Sequence, residues 1–205
     1  ELMSTWAVIP LYYYNDVYLQ KTDVEGIYAN LFGFKYFGFA TTPTNTLALQ
    51  IASEPNKLDP ALNSTVDGAC LAILAFSGLF MYDENGQLTP DLVDTYEMSE
   101  DGLTYTFTMK DGLKWSDGTE LTAKDVEYSW QRLANPDTGA DYAYLTTVIK
   151  TKDDGTLDVA ASEDGKTFTV NLVAPCAYFL DLCAFPAFYP VPQANIESAE
   201  GYAEN

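Results

Sequence analysis

Ser99-Glu100-Asp101-Gly102-Leu103-Thr104-Tyr105-Thr106-Phe107-Thr108-Met109 has a near copy in Ser162-Glu163-Asp164-Gly165-Lys166-Thr167-Phe168-Thr169-Val170-Asn171-Leu172. Each opens on a Glu-Asp-Gly turn and runs into a segment with apolar residues at every second position. Those are Tyr105, Phe107 and Met109 in the first copy, and Phe168, Val170 and Leu172 in the second. Side chains alternate between the two faces of a strand, so each segment presents one apolar face. Two copies do not make a solenoid; they are expected to be two antiparallel strands of one sheet.

Between the copies lies a helix. Thr122 and Asp125 have the spacing of a capping box, with Asp where Glu is usual. Val126, Trp130 and Leu133 follow at helical spacing, and Asn135-Pro136 ends the element. Further out, residues 66–80 are apolar almost all round and are expected to form a buried helix. Thr46-Leu47-Ala48-Leu49-Gln50-Ile51-Ala52 alternates and is expected to be a strand, and Asp59-Pro60 marks a turn. A helix is expected at about 177–183, behind Pro175, with Pro186, Pro190 and Pro192 keeping the chain extended afterwards. At the front, Ala7-Val8-Ile9-Pro10-Leu11-Tyr12-Tyr13-Tyr14 has strand composition, and glycines punctuate short strands over 28–39. The polar stretch 41–46 reads as a joint. The fold class is α+β (mixed α/β), with small mixed or antiparallel sheets and packed helices.

Composition excludes several functions. The 205 residues carry 30 acidic and 10 basic side chains, a net charge of −20 that repels phosphate backbones and anionic lipid, so no nucleic-acid partner is expected. With 47% hydrophobic residues a packed core is expected rather than disorder. No apolar run of membrane-spanning length exists. Glu1-Leu2-Met3-Ser4 has no signal-peptide character, so the export signal of a secreted parent is expected outside this chain. Histidine is absent, which removes the usual general base and the commonest metal ligand, and no nucleophile elbow, Walker loop or dinucleotide fingerprint occurs. No enzyme activity, cofactor or metal is expected. Cys70, Cys176 and Cys183 are an odd set. On a helix the last two lie about 10 Å apart, too far for a bridge. Asp83-Glu84-Asn85-Gly86 and Asp153-Asp154-Gly155 read as plain turns rather than calcium loops.

The stretch Gly112-Leu113-Lys114-Trp115-Ser116-Asp117-Gly118-Thr119-Glu120-Leu121-Thr122-Ala123-Lys124-Asp125-Val126 resembles the signature of the family 5 extracellular solute-binding proteins. These are the oligopeptide- and dipeptide-binding receptors of ABC importers. The likeness continues through Tyr128-Ser129-Trp130-Gln131-Arg132-Leu133 and Asn135-Pro136. Leu58-Asp59-Pro60, the stretch 88–93, Pro175 with Tyr178-Phe179, and Pro190-Val191-Pro192 fit as well. Residues 43–205 resemble the family's N-terminal lobe in its own order. Residues 1–42, with Ile9-Pro10-Leu11-Tyr12-Tyr13-Tyr14, resemble the family's C-terminal strands, expected to pack with the next segment. The order is thus permuted or dissected, and the second lobe is missing.

The resemblance implies one lobe of a periplasmic-binding-protein type II-like receptor that delivers oligopeptides to an ABC importer permease from an extracytoplasmic, periplasmic or lipoprotein-anchored position. It implies that the isolated piece binds weakly or not at all. Relatives that take nickel, haem, glutathione or oligosaccharides keep a non-peptide ligand open, and a carboxylate glycosidase or an adhesion domain is the alternative of another class. Carried over by motif, Ser64, Thr65 and Val66 fall where the family's backbone meets the peptide. Ser64 stands where some relatives have an acidic residue, and that departure puts recognition of a peptide amine in doubt. Tyr142 and Tyr14 match tyrosines at the cleft, while Trp115 and Trp130 are expected in the core.

Overall fold

The computed structural model describes residues 17–30, 32–55 and 57–198. Its centre is a four-stranded antiparallel sheet in the order β5-β6-β8-β7, formed by β5 (Val93–Met98), β6 (Thr104–Met109), β7 (Val159–Ala161) and β8 (Thr167–Asn171). The two copied segments are the neighbouring strands β6 and β8, antiparallel, with Tyr105 opposite Val170 and Phe107 opposite Phe168. The copied turns have copied chemistry. Ser99 Oγ donates to Asp101 Oδ1 (2.6 Å) and Ser162 Oγ to Asp164 Oδ1 (2.6 Å). Gly102 and Gly165 then take positive φ, 68° and 71°, which closes each turn into its strand. Each turn joins a hairpin, β5–β6 and β7–β8, and the hairpins meet at β6–β8.

Helix α2 (Ala123–Ala134) covers the apolar face. Its capping box forms: Thr122 Oγ1 accepts from Lys124 N–H (3.2 Å) and Asp125 Oδ2 accepts from Thr122 N–H (2.8 Å). Val126, Trp130 and Leu133 are buried, and Trp130 meets Phe168 and Phe188 edge to face, both at 5.0 Å between centroids. Phe107, Phe168, Phe179 and Phe188 complete a core of fully buried rings, each worth about 1.5–3 kcal/mol of burial. Short helices α3 (Phe179–Leu182) and α4 (Gln193–Ser198) follow, on either side of the tight turn Pro186–Phe188.

Two expectations are corrected. Helix α1 spans Val66–Ala75 and stops well short of residue 80. The chain passes through Gly78, where an added Cβ would lie 2.5 Å from the Tyr189 ring, and becomes strand β3 (Phe80–Tyr82), paired with β4 (Leu88–Pro90). An apolar run without period cannot signal where helix gives way to strand. Helix α1 is also only half covered, with Val66 and Leu74 exposed. Residues 46–52 form no strand; among the described residues no strand pairs with them. They are tied instead to α1, where Asp67 accepts from the N–H groups of Ala52 (3.4 Å) and Ser53 (2.9 Å).

The described part of the front segment forms β1 (Tyr28–Ala29) and β2 (Lys35–Tyr36). Tyr28 and Tyr36 stack at 4.6 Å, and Phe34 and Tyr36 bury against Ala69 of α1. Lys35 N–H donates to Cys70 Sγ (3.2 Å). The strand expected at 7–14 lies outside the described residues. Among the described residues no helix is long and apolar enough to cross a membrane.

Candidate functional site

The amino end of α1 is built by three side chains. Thr65 is the N-cap: its Oγ1 accepts from Gly68 N–H (3.1 Å). Buried Asn63 holds Thr65 on three sides. Its Oδ1 accepts from Thr65 N–H (3.2 Å) and Thr65 Oγ1 (3.0 Å), and its Nδ2 donates to Thr65 O (3.0 Å). Ser64 and Val66, on either side of the cap, are exposed. The expected 64–66 segment is therefore a surface feature with a fixed backbone.

Tyr142 precedes the tight turn Ala143–Val148 and is half-buried. Its ring stands edge-on to Phe185 at 5.1 Å. Phe185 in turn meets Phe32 edge-on at 5.8 Å. Phe32 and Phe185 line a cavity of about 370 Å³, with Asn30, Tyr82, Tyr178 and Asp181 among its other walls. Phe32 and Tyr178 are exposed. A Cβ placed on Gly33, next to Phe32 in the chain, would lie 3.9 Å from Val66 Cγ1. Neither side chain lines the cavity: Tyr142 packs on its Phe185 wall, and Val66 lies near Gly33, the chain neighbour of Phe32. Ser64 and Thr65 precede Val66 in the chain. Tyr14 lies outside the described residues.

The wall is apolar with few polar groups. Tyr82 Oη donates to Asp181 Oδ1 (2.6 Å), and burial, then this bond, raise the Tyr82 phenol above its ordinary range. Tyr28 Oη donates to the Tyr82 carbonyl, while burial pushes the neighbouring Tyr36 phenol up to about 12. These phenols remain donors at neutral pH. Among the described residues no three His, Cys, Asp or Glu side chains gather as a metal set. The Asp83 and Asp154 carboxylates accept from their own turns: Asp83 Oδ1 from Asn85 N–H (2.9 Å) and Asp154 Oδ1 from Thr156 N–H (3.0 Å). Cys176 and Cys183 are free thiols.

The sequence reading did not single out Phe32, Tyr82, Asp181 and Phe185, which line the cavity. Nothing local distinguishes a phenylalanine on a cavity wall from one in the core, so only the tertiary fold brings these four together.

Aromatic walls around one bonded carboxylate suit the holding of an apolar group. Residues 87–205 match the family described as bacterial extracellular solute-binding proteins, family 5 Middle. The chain belongs to this family, whose members bind substrates and do not catalyse. It is 35% identical over 168 residues to the dipeptide-binding protein of Lactococcus lactis subsp. cremoris, covering 78% of this chain and 30% of that protein. It is 35% identical over 150 residues to the probable deoxycholate-binding periplasmic protein YgiS of Escherichia coli, covering 68% and 28%. Among solved structures it is similar to the Escherichia coli murein tripeptide binding protein MppA, at 33% identity and TM-score 0.69 over 74% of this chain and 31% of that one. It is likewise similar to the pheromone receptor PrgZ, at 35% and 0.69, over 74% and 32%. The expected class, one lobe of a type II-like periplasmic binding receptor with small antiparallel sheets and packed helices, is the class these structures share. The chain spans about a third of the length of these relatives. The family's description, extracellular, puts the chain's working location outside the cytoplasm.

Proposed function

We propose that this chain forms part of an extracytoplasmic receptor that holds an extended peptide and delivers it to the permease of an ABC importer. The observation that carries the reading is the aromatic-walled cavity of about 370 Å³, with Tyr142 packed on its Phe185 wall. Several relatives are named dipeptide- or oligopeptide-binding proteins, which supports the same reading. Ser64, Thr65 and Val66 offer backbone to the peptide, in the manner of strand addition, and Tyr142 meets it as well. Tyr14 joins them on the strength of its motif alone. Residues 1–42 act as the returning, C-terminal-type segment of the lobe that 43–205 begins, and an anchoring lipid belongs to the parent protein.

Half a cleft desolvates a ligand incompletely, so the 205-residue chain alone binds peptide only weakly, with Kd above about 100 μM. Calorimetry with a mixture of tri- to pentapeptides tests both statements. Sub-micromolar binding by this chain alone would refute the half-cleft reading. Absence of peptide binding by the full-length parent would refute the peptide reading. The apolar wall and the name of the Escherichia coli relative YgiS favour a flat apolar ligand as the second reading. Deoxycholate in the same titration decides between them.

A further inference from the structure

We infer that the buried Asp59–Arg132 pair is a positioning device for the 64–66 segment, so that helix α2, which carries Arg132, sets the geometry of that segment through the turn 59–63. This rests on the reading of 64–66 as ligand-facing. Asp59 is covered from solvent, and both its carboxylate oxygens are occupied. Oδ2 accepts from Arg132 Nη2 (2.5 Å), while Oδ1 accepts from Arg132 Nη1 (3.1 Å) and from Ala61 N–H (2.9 Å). The Asp59 carbonyl accepts from Leu62 N–H (3.1 Å) and Asn63 N–H (2.9 Å). The turn 59–63 is therefore wound on one residue, and that residue is clamped by the two-pronged fork of Arg132. Asn63, at the far end of this turn, grips Thr65 through three hydrogen bonds, and Thr65 caps α1. The path is continuous: Arg132, Asp59, Asn63, Thr65, then the N–H of Gly68. Gly68 leaves the room it needs, since a Cβ there would lie 1.9 Å from Asn63 Oδ1.

A buried ion pair is a poor source of net stability, because an apolar pair of equal volume often serves as well. What the fork supplies is direction. Both prongs fix the plane of the Asp59 carboxylate, and that plane aims Oδ1 at Ala61 N–H. An ammonium at position 132 would keep the charge and lose the plane. The 64–66 segment would then keep its residues and lose its fixed backbone.

The test is Arg132→Lys in the 205-residue chain, read by backbone amide exchange. Thr65 and Gly68 should exchange about tenfold faster than in the unmodified chain, with Phe107 and Val170 in the sheet changed less than about twofold. Asn63→Ala, which breaks the path without touching a buried charge, should give the same local pattern and serves if Arg132→Lys does not fold. Equal acceleration at all four amides, or none at Thr65 and Gly68, overturns the inference. In the full-length parent, trialanine Kd should rise about tenfold in Arg132→Lys, and an unchanged Kd also overturns it. If the unmodified parent fails to bind trialanine, the peptide reading is what fails, and the exchange pattern alone decides whether the path exists.

Discussion

Replacing Trp130 by phenylalanine separates two roles that the signature stretch could have, packing and recognition. Trp130 is fully buried, its Nε1 donates to the Phe188 carbonyl (2.9 Å), and its ring is met edge-on by Phe168 and Phe188. The smaller ring leaves a void that its neighbours fill only in part, at about 1–2 kcal/mol. It also leaves the buried Phe188 carbonyl without its donor, at about 1–2 kcal/mol more. Together the cost is about 3 kcal/mol, a large share of the 5–15 kcal/mol typical of a domain. For a chain of this size that lowers Tm by about 6–12 °C. Trp115, half-buried at the margin of the same core, should cost only about 1 kcal/mol on the same change. Urea unfolding followed by far-ultraviolet circular dichroism measures both, with the m-value required to stay constant. A loss below about 1 kcal/mol for Trp130→Phe, or equal losses at the two sites, would show that the ring is not the keystone of the sheet–helix interface.

Gly165 and Gly155 both hold positive φ, but only Gly165 is crowded, with an added Cβ falling 2.9 Å from Thr122 Cβ. Alanine should therefore cost about 1 kcal/mol at 155 and about 2 at 165, and equal urea midpoints would refute the contact. The fully buried Cys183 thiol is raised well above its ordinary range by desolvation, so iodoacetamide at mildly alkaline pH should leave it unmodified while half-buried Cys176 is labelled; mass spectrometry reads the order. Burial raises the Asp91 carboxyl above its ordinary 3.8, so its contribution to stability is fully present below the unfolded value and lost as pH rises through the folded one. The hydroxyl and N–H of Thr119 lower Asp117, so its contribution is present above 3.8 and lost as pH falls through the folded value. Carboxyl carbon titration should find the two on opposite sides of 3.8, and the reverse order would refute the assignment.

What was legible in the sequence was local. Strands β6 and β8 could be read because alternation of Tyr105, Phe107 and Met109, and of Phe168 and Val170, has a period that only a strand satisfies, and because the copied turns carry their own hydrogen bonds. Helix α2 could be read because its cap lies within four residues. The end of α1 could not, since the space at Gly78 is taken by Tyr189, more than a hundred positions away. Residues 46–52 alternate as well as β6 does, yet a strand exists only where a neighbour takes its N–H and C=O groups, and Asp67 takes the N–H of Ala52 and of the following Ser53 instead. The motif likeness pointed to Ser64, Thr65, Val66, Tyr142 and Tyr14, but not to the rings that line the cavity.

Those rings also explain why a cavity forms where it does. The small cluster of Phe34, Tyr36 and Ala69 joins the front segment to α1, and the large cluster joins α2 to the central sheet. Tyr82 and Phe185 pack against both. Among the described residues these two side chains are the ones both clusters share, and seams between packed units are where ligand cavities commonly arise. Tyr82 and Phe185 are walls of this one. The front segment enters it directly through Asn30 and Phe32, and indirectly through the Tyr28 hydroxyl bonded to the Tyr82 carbonyl. Any displacement of the β1–β2 hairpin must therefore move the cavity wall. This coupling makes the described part of the front segment, through Tyr28, Asn30 and Phe32, a structural part of the cavity: a segment that merely hung from its front would leave those walls in place.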